Sequence, residues 1–388
     1  MPTLAAIGHS FALDGREACI QAIEEARQKI LHEADNIVMA FIFASREYNL
    51  PAILSGATAQ LRTVPLFGFS TEGQLATTGQ SQRAIVVALL AGDDITIEAN
   101  WWPDFSTDSA VKIQEMFKEL DIVNVTKEQH VLILAADGIH GNHDTLCKTT
   151  VGPPMMVGAL TGGTDRLKSA FQIGGGLGGE HGLSAALLQG NIKAGVGVAH
   201  GWQPIGKYFE LSRIEDLWIR KLDNQPASEM YAALFGQQAR DWAFPPLNRL
   251  IRLYPLGIET SQGLKISAPL LVEVDGSLRM TSHIDEGGTG HLMVGSPASC
   301  LEAAQQATQQ ALANLGNARP ILGLVFADIA WKMLFETQPG HELAPIREVV
   351  GPNVPLAGGY TLGQLYTHAG ATEVLNQHLE IVLLGVDD

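Results

Sequence analysis

The chain has 388 residues and a formal net charge of −16, with 46% of its residues hydrophobic and 17% charged. That much apolar material supports a substantial core across two or three domains and excludes a disordered chain. The acidic balance opposes nucleic-acid binding, which draws on Lys and Arg to neutralise phosphates, and opposes docking on anionic membranes.

Met1–Ala18 shows no basic region followed by a long apolar run, so no secretory signal is expected. No run of about 18 apolar residues is present to span a bilayer. The cytoplasm is the expected compartment. The three cysteines, Cys19, Cys147 and Cys300, are widely separated and form neither a disulfide framework nor a metal motif.

The first predicted helix, Asp14–Asp35, stripes Cys19, Ile23, Ala26 and Ile30 along one face and places Asp14 and Glu17 at capping-box spacing. The β-branched run Ile37–Ala44 follows as a buried strand. Next comes Val64–Leu75, VPLFGFSTEGQL, which recurs at Val354–Leu365 as VPLAGGYTLGQL with eight of twelve positions identical. A fainter copy starting at Pro154 keeps Gly158, Thr161 and Gly163. Each copy follows an apolar strand (Ile37–Ala44, Val131–Ala136, Ile321–Ala327) and precedes another (Ala84–Leu90, Leu183–Leu188, Leu379–Leu384). The repeated unit therefore reads as strand, connection, glycine turn, strand.

Leu89–Ala99 reads as a hairpin turning at Gly92–Asp94. Helices are predicted at Ser109–Leu120 and at Ala298–Leu315, the latter stopped by Gly316. Local strand pairing mixed with helices predicts an α+β fold of mixed, layered sheets. A seam is expected near Asn224–Pro246, giving domains 1–225 and 226–388, the first with two copies of the unit and the second with one.

Several residues carry candidate chemistry. Gly68, Gly73, Gly358 and Gly363 permit close backbone approach, and Thr71 and Thr361 can bond the N–H groups of such turns. Free N–H groups there would suit a carboxylate. The P-loop spacing is absent, and the glycine-dense Gly174–Gly182 lacks the strand–helix context of a dinucleotide site, so it reads as a loop. Asp137–Asp144 (DGIHGNHD) follows a buried strand and offers His140, His143 and Asp144 as metal ligands. His200, followed by Gly201, Trp202 and Pro204, offers an imidazole beside a flat apolar wall, as haem iron requires. His341 and His368 are weaker candidates; His9, His32, His130 and His378 read as solvated or core residues. Ser70 does not fit the Gly-x-Ser-x-Gly elbow and is replaced by Tyr360 in the later copy, while Glu72 is replaced by Leu362. The repeat thus carries no repeated acid, base or nucleophile, which favours binding over catalysis; a hydrolase using Ser70 or the His140–Asp144 cluster is the enzymatic alternative.

Pro65–Leu75 with Ala84–Leu90, Gly195–Gly206 (GVGVAHGWQPIG) and Leu222–Ala227 (LDNQPA) resemble the N-terminal half of FIST-domain proteins. Pro255–Gly257, Gly276–Glu286 and Gly358–His368 (GGYTLGQLYTH) resemble the C-terminal half, in the family's order. The resemblance implies a small-ligand sensory module of bacterial signal transduction. It further implies a separate histidine kinase or cyclic-dinucleotide enzyme as partner, since no signalling segment follows Leu384. A subgroup of such proteins resembles haem proteins that sense nitric oxide, which implies haem b with His200 as the iron ligand. A haem-free binder of amino acids or small carboxylates is the competing expectation. Many members carry a Cys and an Arg just after the strand matching Ile321–Ala327; here Phe326–Ala330 has neither. Ser70, Thr71, Glu72, Gly358, Tyr360, Thr361 and Trp202 are the residues expected to line or brace the ligand.

Overall fold

Apolar strands and alanine-striped helices alternate along the chain, and the computed structural model folds them into one motif three times. It describes residues 4–30, 36–122, 130–149, 154–163, 170–261, 263–368 and 370–387; His32 lies outside them. Two units result: residues 1–199, 301–374 and 378–388 form one, and residues 200–300 with 375–377 form the other.

The first repeat runs β1 (Leu4–Ser10), α1 (Gly15–Ile30), β2 (Ile37–Ser45), α2 (Leu50–Leu61), β3 (Leu66–Thr71), β4 (Gln74–Ala76), β5 (Gly79–Ser81) and β6 (Ile85–Ala91). Asp14 caps α1, its Oδ1 accepting from the Glu17 N–H at 2.9 Å, as the capping-box spacing predicts. The second repeat runs β7 (Ile95–Trp102), α3 (Ser109–Glu119), β8 (His130–Asp137), α4 (His143–Thr149), β9 (Met155–Thr161), β10 (Phe171–Gly175), β11 (Leu177–Glu180) and β12 (Leu183–Gly190). The third opens with β13 (Lys193–Ala199) and then gives way to the second unit.

That second unit contains β14 (Trp202–Glu215), β15 (Trp218–Leu222), β16 (Gln225–Pro226), α5 (Ala227–Phe235), α6 (Leu247–Leu250), β17 (Leu256–Thr260), β18 (Gly263–Ser267), β19 (Pro269–Val272), β20 (Leu278–Met280) and β21 (Thr289–Gly295). Its strands form one antiparallel sheet, ordered β18-β17-β21-β14-β15-β20-β19 with β16 on β15. Phe209, Leu211, Tyr231, Trp242 and Leu292 fill its core.

The third repeat resumes with α7 (Pro297–Leu315) and continues through β22 (Arg319–Asp328), α8 (Ile329–Leu334), α9 (Leu343–Val350), β23 (Leu356–Thr361), β24 (Gly363–His368), β25 (Ala371–Leu375) and β26 (Leu379–Val386). The compact units interleave along the chain, because the third repeat begins before the second unit and closes after it.

Each repeat contributes a parallel pair (β2–β3, β8–β9, β22–β23) flanked by antiparallel strands. The strand after each parallel pair leaves its own sheet. β4 pairs with β23 of the third repeat, β24 with β9 of the second, and β10 with β3 of the first. The exchange is cyclic. The glycine phrase is accordingly not a turn, as its sequence suggests, but a corner where one strand passes from one sheet to the next. Gly92–Asp94 is likewise not a hairpin: β6 pairs with β1 and β2, while β7 pairs with β12, so the segment links the first repeat to the second.

The inner faces of all three sheets share one apolar core, with Phe43, Phe69 and Phe326 meeting at centroid distances of 5.2–6.0 Å. The repeated glycines set the strand spacing there. A Cβ on Gly68, Gly158 or Gly358 would lie 2.0, 2.0 or 1.9 Å from the carbonyl oxygen of Ile42, Leu134 or Val325, its register partner on the parallel strand. Helices close on the outer strands by the same means: a Cβ on Gly8 would meet Ala22 O of α1 at 2.0 Å, and one on Gly197 would meet Ala307 O of α7 at 1.9 Å.

Glu380 interrupts the apolar run of β26 and is wholly buried. Burial, only partly offset by the Gly158 N–H, pushes its pKa well above the ordinary carboxylate value. The folded chain therefore holds a proton there that the unfolded chain releases near pH 4.3. Its contribution to stability is full below that pH and lost as pH rises through the raised folded value. Glu380→Gln should flatten this loss and be more stable than the parent at pH 8 but not at pH 4, read from urea midpoints across that range. Gly358→Ala should lower stability by about 3 kcal/mol or more, since backbone and not a flexible side chain must yield, as urea unfolding would show.

Candidate functional site

The constant residues of the phrase hold the corners. Thr71, Thr161 and Thr361 end β3, β9 and β23, and each hydroxyl accepts from a buried glutamine on the departing strand: Gln74 at 3.0 Å, Gln172 at 2.6 Å and Gln364 at 3.1 Å. The first two glutamines also accept through Oε1, from Ala84 N–H at 2.8 Å and Gly182 N–H at 3.0 Å. Ser70 is buried, and its Oγ accepts from the Phe171 N–H at 3.0 Å where β10 joins β3. Two copies of the phrase bond directly to each other, Glu72 N–H to Tyr360 O at 3.2 Å and Tyr360 N–H to Gly73 O at 3.0 Å. Thr71, Ser70, Thr361 and Gly358 thus serve the exchange of strands.

Of the variable positions, Glu72 lies where the three repeats meet, just beyond the carboxyl end of β3. Glu72 pairs with Arg46 at 3.2 Å, the side chains being 12% and 24% exposed. A Cβ on Gly163 would lie 2.2 Å from Arg46 Nη1 and 2.3 Å from Glu72 Oε1, so the second repeat makes room for the pair. Lys332 of the third repeat donates to the Glu72 carbonyl oxygen. Burial lowers the Lys332 pKa; Glu72 opposes the shift and Arg46 adds to it. Leu362, standing where the first copy has Glu72, packs instead against the space kept open by Gly162 and against Ile139.

Tyr360 is buried and donates its hydroxyl to Glu342 Oε1. Burial raises both pKa values above their ordinary ranges, and for Glu342 the Tyr360 hydroxyl opposes the shift. The segment carrying Glu342 also walls a cleft of about 450 Å³. One wall is the β4–β5 turn of the first repeat, with Thr77 and Thr78; the other belongs to the third repeat, with Gln338, His341, Leu343 and Arg347. His341 Nδ1 meets Gln338 Oε1 at 2.6 Å, and Thr77 Oγ1 accepts from Leu356 N–H at 2.8 Å.

The histidines sort differently from their sequence order. His200 is half-buried in the second unit, its Nδ1 accepting from the Trp202 N–H at 3.3 Å, and burial lowers its pKa. The clearance expected at Gly201 is filled, since a Cβ there would meet Cys300 N and Sγ at 2.5 and 2.6 Å. Trp202 is buried against Gly295, with Nε1 donating to Leu253 O at 3.2 Å. These residues do not fit the slot for a planar ring that the sequence suggests. His140 lies in the turn after β8, with Nδ1 3.3 Å from Asp137 Oδ2, while His143 turns its Nε2 to the Asp137 carbonyl oxygen at 2.7 Å. His181, from the glycine-dense segment, reaches the same Asp137 oxygen at 3.0 Å. His368 stacks on Tyr366.

Arg46, Lys332, Glu342 and His181 were not legible as site residues. Arg46 and His181 directly follow β2 and β11, Lys332 lies in α8 and Glu342 immediately precedes α9, so their partners are readable only once the repeat is known to exchange strands. Tyr360→Phe should cost about 1–3 kcal/mol by leaving the buried Glu342 carboxyl without this donor, measured by urea unfolding near pH 5.

The model of the FIST N domain matches residues 38–225, and that of the FIST C domain matches residues 227–367. No curated protein matches the chain. Among solved structures, cyanuric acid hydrolase from A. caulinodans aligns over 100% of both chains with a TM-score of 0.39 and 8% identity. PurLQS from Thermotoga maritima aligns over 100% of this chain and 73% of its own, with a TM-score of 0.26 and 10% identity.

Proposed function

The chain belongs to the FIST family, and from that premise we propose that it senses a small carboxylate held in the cleft at Arg347. FIST domains are associated with signal transduction and small-ligand sensing. The observation that carries the reading is the cleft's construction from two repeats, with Thr77 and Thr78 on one wall and His341 and Arg347 on the other. A guanidinium forks onto a carboxylate through two parallel N–H bonds, and the imidazole and hydroxyls supply further polar contacts. A ligand touching both walls favours one relative placement of them, and that differential affinity is what a sensor requires. The Tyr360–Glu342 pair joins one wall to the strand-exchange corner. In this reading a separate partner, a histidine kinase or cyclic-dinucleotide enzyme in a bacterial cytoplasm, reads the change.

Thermal-shift and calorimetric titrations with amino acids and with di- and tricarboxylates test the proposal. At a concentration about 100 times Kd, a bound carboxylate stabilises the fold by about 2.7 kcal/mol. Arg347→Ala, an exposed position, should abolish the shift without lowering the unliganded Tm. No shift with any carboxylate, or a shift retained in Arg347→Ala, would remove the cleft as the site. A haemin titration giving a Soret band that disappears in His200→Ala would instead favour the haem and nitric-oxide reading, against the filled space at Gly201.

A further inference from the structure

We propose that Asp137, His140 and His181 form a binding site for a divalent transition-metal ion of the zinc class. The site is independent of the Arg347 cleft. Asp137 ends β8 with its side chain 1% exposed. Its Oδ1 accepts from the Ile139 N–H at 2.9 Å, which fixes the carboxylate plane and presents Oδ2 to the two imidazoles. His140 Nδ1 lies 3.3 Å and His181 Nδ1 3.0 Å from that oxygen, and the three potential ligand atoms all lie within 4.8 Å of one another.

Two of the three spacings are those of ligands sharing one ion. Two ligands at about 2.0–2.1 Å from a tetrahedral ion are about 3.3 Å apart. Both carboxylate–imidazole separations fall close to this, so a small opening of the rings admits an ion. Nδ1–H of each ring can donate to Oδ2; in the other tautomer, with the proton on Nε2, the same atom becomes a ligand. A carboxylate and two imidazoles suit zinc or a neighbouring first-row ion better than calcium or magnesium, which favour oxygen. Both histidine side chains are 44% exposed, which leaves further positions on the ion open to water.

The backbone brings the two distant segments together. Asp137 N–H donates to Gly182 O at 3.1 Å, and Ser106 N–H donates to His181 O at 3.2 Å. His181 adopts a positive φ of 60°, a conformation uncommon for a residue other than glycine. The glycine-dense stretch therefore delivers a ligand rather than serving as a plain loop. His143, which the sequence groups with His140, is committed to the Asp137 carbonyl oxygen and is not a member of the site.

The test is titration of the full chain with ZnCl2 by calorimetry, and with CoCl2 by absorption, where tetrahedral ligation gives intense visible bands. One ion per chain is expected, with affinity falling at least tenfold in His140→Ala and in His181→Ala, both variants remaining folded by circular dichroism. His140→Ala/His181→Ala should lose the cobalt bands altogether. Absence of stoichiometric binding, or affinity unchanged in both single variants, would overturn the proposal. Binding lost in His143→Ala but kept in His181→Ala, with both variants folded by circular dichroism, would overturn it in favour of the sequence-adjacent set.

Discussion

The contact on which the first unit depends is the approach of a glycine to the carbonyl oxygen of its parallel neighbour, made at Gly68, Gly158 and Gly358. With no Cβ in the way, each strand lies against its partner and then continues beyond it into another repeat's sheet. Because the exchange is cyclic, each corner joins sheets that belong to two different repeats. The threonine–glutamine bonds secure the same corners from within, where an unpaired buried amide would be costly. Glycine and clamp together account for the glycine, threonine and glutamine that the two close copies share.

Much of the architecture was legible and its topology was not. The strands, the long helices and the α+β class follow from apolar runs and helical spacing, and the Asp14 cap forms as its spacing predicts. Local patterning, however, reports only whether a segment is strand, not which sheet receives it. VPLFGFSTEGQL reads as a turn because its glycines and threonine are turn residues, yet those residues serve close approach and clamping at a crossing. Gly92–Asp94 misleads for the same reason, since turn chemistry is needed equally between two paired strands and between two sheets.

The site was legible in the same partial way. The variable residues of the phrase do differ in surroundings: Glu72 meets Arg46 and the Lys332 ammonium, Tyr360 meets Glu342, and Phe69 fills the common core. Their partners lie far off in sequence, and a buried ion pair or hydroxyl–carboxyl bond between distant segments leaves no periodic trace. His181 illustrates the limit. A single histidine within GGGLGGEHG has no spacing relation to His140, and the pairing of β12 with β8, extended by the Asp137–Gly182 backbone bond, makes them neighbours.

The symmetric scaffold acquires asymmetric chemistry through single positions that the repeats share. Ser45, Asp137 and Asp328 occupy the same place, each opposite the corner threonine in the parallel register. In all three the side-chain oxygen accepts from an N–H two residues on, at 3.3, 2.9 and 2.9 Å. A serine hydroxyl fills that role with its only oxygen. An aspartate fills it with one and retains a second oxygen held at the end of a buried strand. In the second repeat that oxygen faces two imidazoles. The scaffold requires one acceptor at this position, and the choice of aspartate over serine turns a structural cap into a place where chemistry can be added without disturbing the fold.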